Sequence, residues 1–480
     1  MHRDLTLNLG LRWETDTPIM DASNRMNGFD PAATNPVSGT PGVVKFAGVG
    51  GWRTLPYDTD WNNFGPRFGF AWKPFGIGKT VLRGGYGIFF AHPFDHGAPT
   101  SASLGFEISA SLNTPDQGIT APFYLKDGVP GLNLQKPELN DSYGAVAVGR
   151  AATTAVTYYE PYRRTGYAQQ FNFGLQRELP GQAMVELTYL ANLSRKLASS
   201  NIPINQIRPE VLGPGRSTQN YRPFPQFSNV SIALPAFGVS SYHGGVLRFE
   251  KRFSKGLNMT GTYTWSKFLN NVDEGGSALG NEGNAYSDYY NRRADWGPSE
   301  NDITHRFTFS SVYELPFGAG KPYLATHPLR HLAGGWGIGS LVTLQSGPVF
   351  TVGTQVNTTN AFSAAGLRAD VLRNPNLPAD QRTLGRWFDT DAFRQPELYR
   401  FGNQGVNILR ADGLVNFDFS VLRNFRITEG QRVQFRGEFF NAFNHPDFGI
   451  PGRNLGGAGF GIVSSARGGR TVQLGVRLIY

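Results

Sequence analysis

The chain has 480 residues, no cysteine, a net charge of +9 and only 17% charged residues, against 60 glycines and 63 aromatics (36 Phe, 19 Tyr, 8 Trp). Soluble domains usually carry about 25% charge, so this balance suits segments that are apolar on one face and polar on the other. The absence of cysteine excludes disulfides, thiolate zinc sites and cysteine nucleophiles, no run approaches the roughly 18 apolar residues of a helical span, and the positive charge is dispersed, so nucleic acid is not expected as a partner.

Twelve segments alternate with period 2, the signature of a strand with two unlike faces. Leu5 to Glu14 sets Leu5, Leu7, Leu9, Leu11 and Trp13 against Thr6, Asn8, Gly10, Arg12 and Glu14. Asn62 to Lys73 sets Phe64, Phe68, Phe70 and Trp72 against Arg67, Gly69 and Ala71, and a third strand sets Leu82, Tyr86, Ile88 and Phe90 against Arg83, Gly85 and Gly87. Gln169 to Leu179 and Ala183 to Leu193 turn at Pro180-Gly181, and Ser240 to Phe253 and Leu257 to Leu269 turn at Ser254-Lys255-Gly256. His305 to Leu315 and Trp336 to Phe350 follow, then Leu414 to Ile427 and Arg432 to Asn444, and last Thr471 to Tyr480, with Val472, Leu474, Val476 and Leu478 on one face.

Connections alternate in length. Short turns near Pro74–Gly78, Pro180–Gly181, Ser254–Gly256 and Thr428–Gly430, and one of intermediate length at Pro316–Gly335, are interleaved with long loops. The long ones run from Thr15 to Trp61, Ala91 to Ala168, Ser194 to Val239, Asn270 to Thr304, Val352 to Gly413 and His445 to Arg470. One end of the sheet is therefore trimmed and the other elaborated, as in membrane barrels with short periplasmic turns and long extracellular loops. The expected fold is an all-β, antiparallel transmembrane β-barrel of about twelve strands, partial or small, in the outer membrane of a Gram-negative-type bacterium.

Five stretches carry a family resemblance: Leu5 to Glu14 (L-T-L-N-L-G-L-R-W-E), Phe64 to Trp72 (F-G-P-R-F-G-F-A-W), Asn291 to Asp302 (N-R-R-A-D-W-G-P-S-E-N-D) with His305-Arg306, Phe439 to Phe448 (F-F-N-A-F-N-H-P-D-F) and Gly469 to Gly475 (G-R-T-V-Q-L-G). Together they resemble the carboxy-terminal half of TonB-dependent outer-membrane receptors, most closely the Oar-like group. The resemblance implies a 22-stranded barrel with a plugged lumen, of which residues 1–480 supply the eleventh to twenty-second strands. No signal peptide, plug or TonB-engaging segment is recognised here, so the chain reads as a gene fragment or a miscalled start. The resemblance implies energised uptake of a bulky solute such as a carbohydrate, siderophore or peptide, with outer-membrane lipid and the barrel-assembly machinery as partners and the TonB complex reached only through an N-terminal region. Competing expectations are a passive porin-like or adhesive surface barrel, and a secreted all-β carbohydrate-binding protein or glycosidase with paired carboxylates.

The densest polar cluster, Arg292, Arg293, Asp295, Glu300, Asp302, His305 and Arg306, has two readings. Arginine forks suit an anionic or sugar-rich ligand, whereas the plainer and preferred reading is a self-satisfied Arg and Asp network that orders a long loop. Arg12, Arg67, Arg83, Glu186, Arg248, Glu250, Asp418, Arg436, Glu438 and Arg477 are expected on the lumen wall. Trp13, Trp72, Tyr86, Tyr189, Tyr263, Trp265 and Tyr313 are expected as belt aromatics. His327 and His331 are too few for zinc, Gly275 to Asn284 shows no phosphate-binding or nucleophile-elbow pattern, and neither a catalytic constellation nor a cofactor is read. Tyr480 resembles the terminal aromatic read as an insertion signal by the barrel-assembly machinery; otherwise it is one more belt aromatic.

Overall fold

The computed structural model describes residues 3–74, 79–91, 102–106, 112–114, 116, 118–128, 138–199, 201–272, 286–363, 366–428 and 430–480. Its main element is one antiparallel sheet whose strands neighbour one another in chain order. They are β1 (Leu5–Trp13), β2 (Phe64–Trp72), β3 (Thr80–Ala91), β4 (Gly166–Leu179), β5 (Ala183–Leu197) and β6 (Gly238–Ser254), then β7 (Leu257–Asn270), β8 (His305–Glu314), β9 (Trp336–Gln345), β10 (Leu414–Arg426), β11 (Arg432–Phe440) and β12 (Thr471–Ile479). A two-residue strand, Gly297–Pro298, adds to the top of β7. No ladder joins β1 to β12 among the described residues, so the sheet has two open edges.

The twelve strands fall on the alternating segments, and the register shows why. Residues directly opposite in an antiparallel pair share a face. One row runs Leu5, Trp72, Leu82, Leu175, Leu187, Leu247, Tyr263, Phe307, Leu344, Val415 across ten strands. One residue along, on the other face, a row runs Gln176, Glu186, Arg248, Thr262, Thr308, Thr343, Asn416. A one-residue slip anywhere would move apolar side chains into the polar face, so the pattern itself fixes the pairing. At the β6–β7 turn Lys255 and Gly256 both have positive φ, 50° and 81°, which gives the two-residue hairpin the twist of its strands. The expected turn at Pro74–Gly78 lies mostly outside the described residues, as does Gly275 to Asn284.

One strand ends earlier than the alternation predicts. β9 stops at Gln345, and Val349–Phe350 pairs instead with Leu409–Arg410. Pro348 has no N–H for the ladder, and a Cβ on Gly347 would lie 2.1 Å from the Asp412 carbonyl, so the chain crosses closely there and leaves the sheet. β11 likewise ends at Phe440, short of Asn444.

The long connections hold the surprise: they fold together into a cap with its own cores. The first gathers Phe29, Val44, Phe46, Val156, Tyr158, Ile204, Phe224, Phe227, Val230 and Ile232 from three different loops. A second gathers Phe350, Val352, Ala369, Phe388, Phe393 and Leu409, with Leu455 and Phe460 from the last loop packed against it. Inside the first, Ala155–Tyr159 and Asn229–Ala233 pair in parallel although they lie about seventy residues apart.

Candidate functional site

The polar cluster read from sequence sits where the two cap cores meet. Asp288, just before it, accepts a hydrogen bond from Gln206 Nε2 (2.7 Å), and Tyr290 donates to the Gln206 carbonyl (3.2 Å), which ties the segment to the first core's loops. Asp295 reaches the other way. It is fully buried against Arg368, itself 2% exposed, at 3.1 Å. Burial pushes the Asp295 carboxyl up to about 6, against the pull of Arg368 and the Ser287 N–H, and burial holds the Arg368 guanidinium below its usual value, with Asp295 opposing.

Asp302 is equally buried but better satisfied. Its Oδ1 accepts from the Phe268 N–H (2.7 Å), and Oδ2 accepts from Arg410 Nη2 (2.6 Å) and the Thr304 hydroxyl (3.2 Å). Arg410 also donates to the carbonyls of Gly347 (2.6 Å) and Asp302 (3.1 Å), so its guanidinium joins the fourth long loop to the chain crossing at Gly347, and Asp302 carries the link on to β7's upper end. Charge-assisted, multiply bonded contacts of this kind are the strong ones.

Arg292 lies over the Phe237 ring, 4.0 Å from its centroid, with Tyr286 and Tyr289 each at 5.9 Å. Arg293 is exposed. His305 and Arg306, adjacent on β8, point to opposite faces. His305 shares the outward face with Trp265, and its Nδ1 is 2.8 Å from the Tyr263 hydroxyl. Arg306 lies opposite Thr264 and Gln345 on the polar face. The six candidate residues are thus divided among a buried joint, an aromatic stack, an exposed loop and two sides of the wall. Tyr480, 92% exposed, follows β12. His327 Nδ1 accepts from the Leu329 N–H (3.1 Å) and His331 Nε2 from Arg330 Nε (3.1 Å), both on an exposed turn.

Arg368 and Arg410 were not singled out from sequence. They lie 73 and 108 residues from their carboxylates, and no local periodicity marks an arginine in a long loop as buried.

On the outward face apolar side chains stand free of any protein cover: Leu9 is 79% exposed, Leu187 56% and Val476 73%. Phe419 (38%) and Phe435 (39%) are exposed too, and Phe417 and Val433 are only part-buried, which excludes a closed internal core around them. A soluble protein rarely tolerates an apolar surface of this extent. The sequence matches the family of the outer membrane beta barrel domain over residues 1–473. The chain belongs to this family. Its apolar face therefore meets the lipid of the outer membrane, the short turns lie on the periplasmic side and the cap lies outside.

Three solved structures are similar to this chain. They are the outer membrane transporter YddB from Escherichia coli (TM-score 0.44, 11% identity, covering 92% of this chain and 42% of that one), the ferric preacinetobactin receptor BauA from Acinetobacter baumannii (0.42, 11%, 99% and 40%) and the FrpB iron transporter from Neisseria meningitidis (0.39, 12%, 100% and 43%). The chain spans about two fifths of the length of each. No curated protein matches it.

The opposite face of this outer-membrane barrel wall carries opposed charges arranged in pairs. Arg248 meets Glu250 at 2.7 Å and Arg436 meets Glu438 at 3.5 Å, while Arg12 pairs with Glu14. Near the short-turn end, a pocket of about 420 Å³ is lined by Gln176, Glu178, Met184, Glu250 and Arg252. The face is not uniformly polar, because Val312 (49% exposed), Leu341 (47%) and Phe440 (42%) also open onto it and share a groove of about 330 Å³ with Asn258, Asp418 and Glu438.

Proposed function

We propose that this chain supplies barrel wall and extracellular face to a TonB-dependent receptor of the Oar-like type, the carboxy-terminal part of its barrel, serving uptake of a bulky solute such as a carbohydrate, siderophore or peptide. The supporting observation is the union of two parts: a lipid-facing wall whose other face carries paired charges, and a folded cap cross-linked by buried ion pairs on the extracellular side. A pore for small solutes needs the wall alone. A rigid, folded extracellular surface suits recognition of a large ligand, and the energised step belongs to other parts of the receptor. In this reading Arg293, exposed on the segment that joins the two cap cores, and Arg306 on the polar face are the ligand-contacting members of the cluster. Asp295 and Asp302 hold the segment in place, and Arg292 is held among aromatics.

The test is uptake by the native host with and without the intact chain, measured for radiolabelled oligosaccharides, ferric siderophores and peptides, each with and without a protonophore. Loss of uptake of one solute class on deletion, and its abolition by the protonophore, is the expected result. Solute entry that persists when the proton gradient collapses points to a passive pore instead.

A further inference from the structure

The connection between β8 and β9 is the longest at the trimmed end of the sheet, and it folds back against the outside of the wall. Trp336 and Arg423 lie opposite one another on β9 and β10, two residues from Ile338 and Val421 on the same outward face. Both reach over the turn. Trp336 Nε1 donates to the Leu332 carbonyl (3.0 Å), and Arg423 Nη2 donates to the His331 carbonyl (2.5 Å). The guanidinium lies 5.0 Å from the Trp336 ring centroid and 4.1 Å from that of Phe425.

An arginine on the outward face is thus 8% exposed, because the single helical turn α1 (Arg330–Ala333) roofs it. Since two outward side chains hold its carbonyls, α1 stands on the lipid side of the sheet. Its own outer surface is amphipathic. Leu329 and Leu332, three residues apart and so neighbours on one turn, are 52% and 66% exposed. Arg330 between them has no carboxylate partner among the described residues, unlike nearby Lys321, which is paired with Glu314 at 2.9 Å.

We propose that this connection is a lipid anchor: Leu329 and Leu332 enter the interface of the periplasmic leaflet, and Arg330 takes the phosphate of an anionic phospholipid headgroup. Continuity carries the argument. The two leucines extend an apolar surface already established as lipid-facing, and they do so where the strands end and headgroups begin. Paired apolar and cationic residues at that depth are how interfacial segments bind. The turns at Pro180–Gly181 and Lys255–Gly256 show that a hairpin here needs few residues, so the extra length serves something other than reversal. The inference rests on the family's outer-membrane placement and not on which solute is carried.

Because the chain has no cysteine, Leu332→Cys in the full chain gives a unique site for an environment-sensitive fluorophore. In bilayers containing lipids brominated near the headgroup, the expected result is blue-shifted emission quenched at least twofold, with quenching that rises with anionic lipid content. The same probe at Leu398→Cys, in the cap and 64% exposed, is expected to report water and no quenching. Adding Arg330→Ala should remove the dependence on anionic lipid while leaving the emission blue-shifted. Water-like emission at position 332, equal to that at 398, overturns the anchor, and quenching indifferent to both anionic lipid and Arg330→Ala overturns the headgroup contact. Read in intact outer membranes against aqueous iodide, protection at 332 supports the anchor and full quenching refutes it.

Discussion

The wall and the cap use apolar residues in opposite ways. Among the described residues, Ala191 is the single buried hydrophobic residue within β1–β12, while Phe227 and Phe350 in the cap are wholly buried. The wall meets its backbone requirements through the ladder and leaves its apolar face to lipid. The cap, outside the bilayer, builds conventional cores from short strands and irregular segments drawn from several loops. The same chain therefore follows two sets of rules, and a substitution's cost depends on which set governs its site.

The largest separation is expected at cap cores. Phe227→Ala should cost about 3–5 kcal/mol of cap stability through the cavity it leaves, and Arg368→Met a similar amount by stranding the Asp295 charge. Limited proteolysis should show cleavage in the long loops while heat-modifiable migration of the barrel is unchanged. If both properties fall together, wall and cap are one cooperative unit and the comparison fails. On the wall, Leu187→Arg should cost roughly 2–4 kcal/mol if its site lies near mid-bilayer; lowered recovery in the outer-membrane fraction with normal cap protease resistance would show it.

A smaller effect is a pH dependence confined to the cap. The native Asp295 carboxyl holds its proton up to about 6, above its usual 3.8, so the folded cap binds more protons than the unfolded one between those values. The contribution of this one carboxyl is fullest below about pH 4 and is lost as pH rises through about 6, by at most about 3 kcal/mol. Protection of the Ser287 amide against hydrogen exchange, corrected for intrinsic rate, should fall over that window in the native chain and stay flat in Asp295→Asn. The smallest effect is Leu187→Ala, under about 1 kcal/mol, because lipid refills the space that a protein core would leave empty.

What sequence reading recovers follows the same division. The strands were legible because lipid on one side and water on the other impose period 2, and β7 shows it from Leu257 to Trp265 with only Gly261 breaking the apolar set. That Arg306 and His305 cannot share a site also follows from their adjacency in a strand. The cap was not legible, since Phe29 meets Tyr158 and Phe224 across well over a hundred residues, and glycine- and proline-rich segments carry no period. The early end of β9 depended on a backbone crossing at Gly347 that only the folded loop reveals.

The most direct test of this account is single-cysteine accessibility along β7 in intact outer membranes, using a water-soluble maleimide on residues 257 to 265. Strong labelling at Asn258, Thr260, Thr262 and Thr264, with little at Leu257, Met259, Tyr263 and Trp265, is the predicted outcome. Uniform labelling, or labelling of the apolar set, would contradict a wall with lipid on one face and water on the other.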